Sequence, residues 1–208
     1  KQRPADPVGD DDVAIAVKYS GINFADIQMR LGFYPDAPKR PFVPGYEVSG
    51  TVRQVGKNVS RFKVGDPVVA GTYFGGYASQ VTVPAIQAFA LPASNDLASA
   101  AALPVSFFTA PLALFEMGRI RAGDRVLIEC ATGGVGTLAV QMAKHVGAQV
   151  VGLTTTASKK EYIAALGATP YTREEFFADP SVGGFDFILQ ASGGKEIRRQ
   201  LPRLGLTG

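Results

Sequence analysis

The sequence predicts an α/β fold in two parts, a β-rich, barrel-like first half and a doubly wound parallel sheet in the second half. Three observations predict it. Short alternating segments separated by turn residues run from residue 13 to about residue 91. A strand, turn and helix rhythm then repeats from residue 125 onward, which is typical of βαβ units. Finally, 24 glycines and 14 prolines among 208 residues indicate many turns and are too many for a helical bundle.

The first half is a series of strands interrupted once by a helix. Strand-like alternation marks residues 13–19, 46–55, 66–71 and 76–84. The interruption is a helix predicted over 24–31, and a proline-rich loop over 35–44 follows it. Loops of that length often carry function, so this region is a candidate for site residues.

After Pro92 the pattern becomes helical, with Pro104 near a helix start and Gly118 as a stop. We therefore predict two domains, 1–104 and 105–208. Strands are predicted at 126–130, 149–153, 168–171 and 185–190. Helices are predicted at 134–146, 158–166 and 194–201. A sheet of this kind is expected to continue with another strand at Gly208, where the sequence stops.

Composition argues against several classes of function. The 21 Lys and Arg against 18 Asp and Glu give a formal charge of +3, spread along the chain, which disfavours a nucleic-acid-binding surface. No apolar run is long enough to span a bilayer and no secretory leader is recognisable, so a cytoplasmic location is expected. One cysteine, Cys130, and one histidine, His145, cannot form a disulfide framework or a Cys/His zinc site. Cys130 is expected to lie in the core at the end of a strand.

A glycine-rich run lies between a predicted strand and a predicted helix. It is formed by Ala131, Thr132, Gly133, Gly134, Val135 and Gly136. Gly133 would let the backbone approach a pyrophosphate, and Gly136 would let the helix pack closely on the strand. Free N–H groups at the helix start would face the phosphates. The alternative, a glycine turn without a ligand, is disfavoured by this setting, so we predict a Rossmann-type dinucleotide site.

The residues after the second strand of this half indicate which dinucleotide is bound. Proteins that bind NAD place an acidic residue about twenty positions beyond the glycine turn, where it holds the ribose 2′-hydroxyl. Here the strand ends in Thr154, Thr155 and Thr156, and Ser158, Lys159 and Lys160 follow. Hydroxyls and positive charge suit a 2′-phosphate, which predicts NADPH rather than NADH. The alternative is that the lysines only solvate the start of a helix.

Seven motifs distributed over the chain carry a resemblance to a known family. They are S-G-I-N-F-A-D (20–26), L-G-F-Y-P (31–35), P-G-Y-E-V-S-G (44–50), V-G-D-P-V (64–68), G-G-Y-A-S-Q-V-T-V-P (75–84), A-A-A-L-P (100–104) and A-T-G-G-V-G (131–136). With these motifs the chain resembles the medium-chain dehydrogenase/reductase superfamily. Within it, the chain is most similar to the zinc-free quinone oxidoreductase branch, which includes zeta-crystallin and the vesicle amine transport protein homologues.

This resemblance implies a GroES-like β-barrel catalytic domain followed by a Rossmann NADPH-binding domain, with a small quinone or enone substrate in the cleft between them. Family members are longer, so the Rossmann sheet is expected to be incomplete at the C-terminus of this chain. Relatives commonly form homodimers through the edge of this sheet, which implies a homodimer here as well.

The resemblance also implies how the reaction proceeds. Zinc-dependent members place a cysteine and a Gly-His-Glu motif around the metal, whereas this chain has Asn23 in the first stretch and Gly45-Tyr46-Glu47 in the second. We therefore expect no metal, and hydrogen bonds must polarise the substrate oxygen. The family places an asparagine and a tyrosine beside the nicotinamide, which correspond to Asn23 and Tyr34, with Tyr34 as a proton donor.

The resemblance also places Thr109 near the nicotinamide, although a buried packing role is an equal alternative for this residue.

Three functional alternatives remain open. The first hypothesis is an NADPH-dependent reductase of quinones or α,β-unsaturated carbonyls. The second is an enoyl reductase domain of a polyketide synthase. The third is a protein that binds NADPH without significant turnover.

Overall fold

A computed structural model describes residues 6–92 and 94–205 of the chain. The chain divides into two units, Lys1–Val105 and Ser106–Gly208. That these units correspond to the two domains expected from the sequence stays a prediction. Within the described ranges, no helix has both the length and the apolar character needed to cross a membrane.

The first unit is built on an antiparallel sheet. Its strands are β1 (Asp12–Ser20), β2 (Glu47–Val55), β3 (Pro67–Gly71), β4 (Gln80–Pro84) and β5 (Ala88–Ala90). They lie in the order β4-β1-β2-β3-β5. Alternate residues such as Val13, Ile15 and Val48 are buried in one apolar cluster, which is the period-two pattern of a sheet with one covered face. The four predicted strands are confirmed, whereas the three-residue β5 is too short to be recognised.

Two helices accompany this sheet, α1 (Phe24–Leu31) and α2 (Leu97–Ala100). The predicted bounds of α1 are confirmed. Gly32 ends α1 in the left-handed conformation, at φ 85°, and its N–H donates to carbonyls of the last turn. The first residue of α1 follows Asn23 directly, so the beginning of this helix fixes where a predicted site residue lies.

The second unit contains a parallel sheet. Its strands are β6 (Arg125–Ile128), β7 (Gln149–Thr154), β8 (Thr169–Thr172) and β9 (Phe187–Leu189). Their order is β8-β7-β6-β9 and all pairings are parallel. The chain therefore moves outward from β6 in one direction and returns to its other side with β9. In doubly wound folds this reversal marks the crevice where ligands bind, at the carboxyl ends of the strands.

Helices cover both faces of this sheet, as its core shows. They are α3 (Pro104–Pro111), α4 (Gly134–His145), α5 (Lys160–Ala165), α6 (Arg173–Ala178) and α7 (Lys195–Gln200). Val126 and Ile128 belong to one buried cluster with residues of α4, whereas Leu127 belongs to another with Phe176 of α6. A strand buried on both faces is typical of parallel sheets. The α/β fold class, with a Rossmann-type sheet in the second half, is confirmed.

Two local expectations, both at the end of β6, are wrong, and one helix was missed. The strand predicted over 126–130 ends at Ile128. Cys130 is exposed, with φ 53°, instead of lying in the core. The chain must turn sharply here because the glycine run begins immediately afterwards. Helix α6 was not predicted, although Thr172 and Glu175 form a capping box at its start, a recognisable signal in T-R-E-E.

Candidate functional site

The glycine turn between β6 and α4 is built by close backbone packing. Gly136 is buried, and a Cβ atom at this position would overlap the carbonyl oxygen of Cys130 and approach Cα of Ala131 to 2.8 Å. Backbone atoms cannot move aside as a flexible side chain could. Ala131 is itself buried, and its N–H donates to the carbonyl of Leu153 on β7 at 2.9 Å. Gly136 therefore allows α4 to begin directly against the end of β6.

The first turn of α4 presents an open, positively polarised end. Gly133 precedes the helix at φ −83°, ψ 172°, and among the described residues no side chain caps this end. Gly133 and Gly134 are exposed, while Thr132 and Val135 are half-buried. The unpaired N–H groups of a first helical turn and the helix dipole both attract anions. This end of a twelve-residue helix is thus suited to a phosphate group.

A cavity of about 220 Å³ adjoins the turn at the carboxyl edge of the parallel sheet; we call it the carboxyl-edge cavity. Its lining combines turn residues, the end of β7 and two cations. These are Cys130, Thr132, Gly133, Leu153, Thr154, Thr155, Lys159 and Arg173, and the carboxylate residue Glu129 also belongs to the lining. A larger hollow of about 380 Å³ lies at the opposite edge, beside the first residues of β6, β7 and β8. Because doubly wound folds bind ligands at the carboxyl edge, the smaller cavity is the candidate site.

The residues predicted to select the cofactor differ in their surroundings. Thr154 is buried at the end of β7, and its Oγ1 accepts from the N–H of Thr156 at 3.2 Å. Lys159 lines the cavity, whereas Lys160 pairs with Glu175, whose carboxylate oxygens lie 2.6 and 2.8 Å from Nζ. Ser158 is exposed on the turn before Lys159 and is not part of the cavity lining. Of the two neighbouring lysines, only Lys159 is placed to meet a ligand here.

Sequence reasoning missed Glu129 and Arg173, which join the carboxyl edge into one network. The side chain of Glu129 is fully buried, and Arg173 Nη2 donates to its Oε1 at 3.0 Å. Gln190 Nε2 donates to Oε2 at 2.7 Å, and the N–H and Oγ of Ser192 donate at 3.1 and 2.9 Å. Glu129 thus connects the loop after β9 to the start of α6. Sequence separations of 44 to 63 residues concealed these contacts.

Replacing Glu129 by alanine is expected to lower the free energy of unfolding by about 3 kcal/mol, because it leaves the guanidinium of Arg173 and the amide of Gln190 without their buried acceptor. Urea unfolding monitored by circular dichroism measures this change. Glu196→Ala is the control, because Glu196 forms only an exposed pair with Arg199 at 3.4 Å and should cost less than about 0.5 kcal/mol. Equal losses in the two variants would contradict the role of Glu129.

In the first unit, Asn23 is held by two buried carboxylates. Its backbone N–H donates to Asp26 Oδ2 at 2.9 Å, and its Nδ2 donates to Glu47 Oε1 at 2.8 Å. Glu47 Oε2 accepts from the N–H of Val105 at 2.8 Å. Burial raises the pKa of Glu47, and the hydrogen bonds from Val105 and Asn23 partly offset this effect. An amide nitrogen carries two hydrogens, so Asn23 can still donate to a substrate oxygen.

Asp26 anchors the loop that carries the residues in the position of the zinc-ligand motif. Its Oδ1 accepts from the N–H of Gly45 at 3.1 Å, and its carboxylate lies near the phenol of Tyr77. Partial burial, followed by the charge of Asp26, raises the pKa of Tyr77 to about 12. Gly45 adopts φ 104°, and a Cβ there would lie 2.7 Å from the backbone nitrogen of Tyr77. Glycine is therefore required where these two loops meet.

Tyr34 lies in the loop after α1, half-buried against Tyr46. The two ring centroids are 6.1 Å apart at 65°, an edge-to-face contact. Burial raises the pKa of Tyr46, and the neighbouring Tyr34 adds to this effect. Tyr46 and Glu47 are adjacent in sequence and hold Tyr34 and Asn23 respectively. In the sequence, this segment was interpreted only through its missing histidine, although a tyrosine in that position was a visible signal of a site residue.

Thr109 and the question of a metal complete the predicted site. Thr109 is exposed on α3. Ser106, on the same helix, lies close to the glycine turn: a Cβ added to Gly134 would be 2.7 Å from its Oγ. The structure therefore puts α3 next to the glycine turn, but it does not bury Thr109. In the part of the chain that is described, no group of three or more His, Cys, Asp or Glu side chains could hold a metal ion.

Comparisons with known proteins agree with this architecture. The family described as "Alcohol dehydrogenase GroES-like domain" matches residues 9–93, and "Zinc-binding dehydrogenase" matches residues 134–204. The quinone oxidoreductase from Thermus thermophilus, solved alone and with NADPH, is 34% identical over the whole of this chain and 67% of that one, with a TM-score of 0.87. The chain belongs to the medium-chain dehydrogenase/reductase superfamily. The resemblance to its quinone oxidoreductase branch is confirmed.

Other members of the superfamily share the sequence over much of this chain. The synaptic vesicle membrane protein VAT-1 homolog of Danio rerio is 36% identical over 205 residues, covering 96% of this chain and 42% of its own length. The highly reducing polyketide synthase apmlA of Arthrinium phaeospermum is 34% identical over 190 residues, 90% of this chain and 8% of its own length. The chain spans about half the length of the VAT-1 homologues that it matches.

Proposed function

We propose that the protein is an oxidoreductase that binds NADPH at the carboxyl-edge cavity and delivers hydride, without zinc, to a quinone or an α,β-unsaturated carbonyl. The observation that carries the proposal is the combination of an uncapped α4 start with Lys159 and Arg173 in one cavity. The pyrophosphate suits the helix start, and the two cations suit a 2′-phosphate. The NADPH complex of the Thermus thermophilus enzyme supports this choice of cofactor.

Arg173 strengthens the choice of NADPH over NADH. Its Nη2 pairs with Glu129, and its side chain is 28% exposed where it lines the cavity. Arg173 and Lys159 together place two positive charges in the cavity lining, which fits a phosphate better than a ribose hydroxyl. The cavity does contain the carboxylate of Glu129, which accepts bonds from Arg173, Gln190 and Ser192. That carboxylate is occupied, so it is a poor partner for a free ribose.

The chemistry proposed for the other site residues follows from their hydrogen-bonding groups. When bound, the nicotinamide supplies the hydride. Asn23 and Tyr34 would donate to the substrate oxygen, where negative charge develops as the hydride arrives at the electron-poor carbon. The phenol of Tyr34 would then release its proton to complete the reduction. No metal is required for these steps, since both donors are supplied by the chain.

NADPH oxidation followed by its ultraviolet absorbance tests this function. The purified protein is mixed with 1,4-naphthoquinone or with trans-2-hexenal, and the same assay is repeated with NADH. We expect turnover with NADPH for at least one substrate and a weaker reaction with NADH. NADPH binding without turnover of either substrate would favour a non-catalytic protein. If neither is reduced but an acyl thioester with a 2,3-double bond is turned over in the same assay, the result would favour the enoyl reductase of a polyketide synthase.

Replacing Lys159 by alanine is expected to weaken NADPH binding about tenfold and to leave NADH binding unchanged, because only NADPH carries the 2′-phosphate. Fluorescence titration with each cofactor measures both dissociation constants. Lys160→Ala is the matched control, since the neighbouring lysine pairs with Glu175 outside the cavity. If Lys160→Ala weakened NADPH binding as much as Lys159→Ala, the assignment of the 2′-phosphate to this cavity would be wrong.

Two wider expectations, a cytoplasmic location and a homodimer, stay predictions. Size-exclusion chromatography with light scattering determines the oligomeric state directly.

A further inference from the structure

Tyr46 is a half-buried phenol in the aromatic cluster of the first unit. Its ring contacts Tyr34 on one side and lies 5.6 Å from the ring of Phe74 at 36° on another. The neighbouring Tyr34, the residue proposed to donate a proton, adds to burial in raising the pKa of Tyr46. Tyr73 packs on Phe74, with ring centroids 4.9 Å apart, and is 72% exposed.

The backbone around Tyr46 is fixed, whereas Tyr34 lies on a loop. Tyr46 directly precedes β2, its carbonyl accepts from the N–H of Thr72 at 2.6 Å, and Thr72 Oγ1 donates to the carbonyl of Gly45 at 2.6 Å. Tyr34 follows the end of α1 by three residues, and its backbone carbonyl accepts a turn bond from the N–H of Ala37 at 3.2 Å. A side chain on a rigid element can therefore orient one on a loop.

We infer that Tyr46 is a positioning residue for Tyr34: its hydroxyl donates a hydrogen bond that fixes the Tyr34 phenol and stabilises the phenolate left after proton transfer. This inference rests on the proposed function. In the step concerned, the O–H bond of Tyr34 breaks, and its proton goes to the reduced substrate. Tyr46 keeps its own proton throughout, and Tyr34 regains one from water before the next turnover.

The charge surroundings of Tyr46 are consistent with a group that stays protonated. The titratable groups near it are Tyr34, Tyr73 and Asp26, and each disfavours a negative charge on Tyr46. A phenol that keeps its proton acts as a permanent hydrogen-bond donor. Charge-assisted hydrogen bonds are about twice as strong as neutral ones, so the bond to Tyr34 strengthens when Tyr34 becomes an anion. Stabilisation that grows along the reaction lowers the barrier.

Tyr46→Phe tests the inference because it keeps the ring and removes only the hydroxyl. We expect kcat for the substrate that the wild type reduces to fall about tenfold and the alkaline limb of its pH profile to move to higher pH, because the phenolate of Tyr34 loses the hydrogen bond that stabilises it. The KM for substrate and the dissociation constant of NADPH should stay unchanged. Tyr73→Phe is the control, because this exposed neighbour should leave kcat and the profile unaltered.

A spectroscopic measurement separates this inference from the proposed function. In protein labelled with ¹³Cζ-tyrosine, the Tyr34 resonance is assigned by its absence in Tyr34→Phe. This resonance should move in Tyr46→Phe and not in Tyr73→Phe. An unmoved resonance, or an active Tyr46→Phe protein with unchanged kcat and pH profile, would overturn the inference alone. A wild type inactive with every substrate would instead refute the proposed function, and with it the catalytic part of the inference.

Discussion

Replacing Gly136 by alanine is expected to lower the free energy of unfolding by about 3 kcal/mol and to weaken NADPH binding about 100-fold. The added methyl group would overlap the carbonyl oxygen of Cys130, and it would meet Cα of Ala131 as well. To relieve this overlap, α4 must move away from the end of β6. That movement displaces the N–H groups proposed to bind the pyrophosphate. Thermal unfolding and a fluorescence titration with NADPH measure the two effects.

Gly133→Ala is the matched control, because it separates the effect on the stability of the turn from the effect on NADPH binding. Gly133 has φ −83°, which any residue adopts, and its Cβ would meet only the carbonyl oxygen of Cys130, at 3.3 Å. The free protein should therefore keep most of its stability. NADPH binding should still weaken, because the methyl group occupies space that the pyrophosphate needs. The roles assigned to the two glycines are wrong if Gly133→Ala unfolds as readily as Gly136→Ala, or if neither variant weakens NADPH binding.

Replacing Tyr34 by phenylalanine is expected to reduce kcat about 100-fold, because a positioned general acid typically contributes at least that factor. The ring and its contact with Tyr46 remain, so unfolding should change little. NADPH binding should also be unchanged, since the residues proposed to hold this cofactor belong to the other unit. Steady-state kinetics with a quinone and an enone, together with NADPH titration, measure this combination of effects.

Tyr162→Phe provides the corresponding control, because Tyr162 is 47% exposed on α5 and removal of its hydroxyl should leave kcat at the wild-type value. A Tyr34→Phe protein with the wild-type kcat for both substrates would remove Tyr34 from the mechanism. Asn23, held by Glu47, would then be the remaining candidate for polarising the substrate oxygen.

Local pattern was sufficient for most of the fold. Alternation predicted β1 to β4, and the spacing of Pro, Gly and apolar residues predicted α1 and α4 with bounds close to those observed. Short elements with weak periodicity were missed, namely β5 with three residues and α6 with six. The end of β6 was misjudged, because nothing in V-L-I-E-C marks a break after Ile128, although the backbone has already turned at Cys130.

The residues of the candidate site also differ in how far they could be predicted from the sequence. Residues within one local motif, such as the glycine turn, could be chosen because their geometry depends on neighbours in sequence. Glu129 and Arg173 could not, since they meet only when the sheet brings residues 44 positions apart together. Tyr46 is a similar case. Its position was visible as a departure from the zinc-ligand pattern, but its contact with Tyr34 depends on a loop conformation that no local pattern specifies.

Deuterium labelling of the cofactor shows directly whether hydride passes from NADPH to the substrate carbon. NADPH deuterated at both C4 positions of the nicotinamide is incubated with the protein and trans-2-hexenal, and the product is analysed by mass spectrometry. We expect hexanal that carries one deuterium, at the carbon β to the carbonyl group. Unlabelled hexanal, or recovery of unchanged hexenal and of every quinone offered in its place, would contradict it.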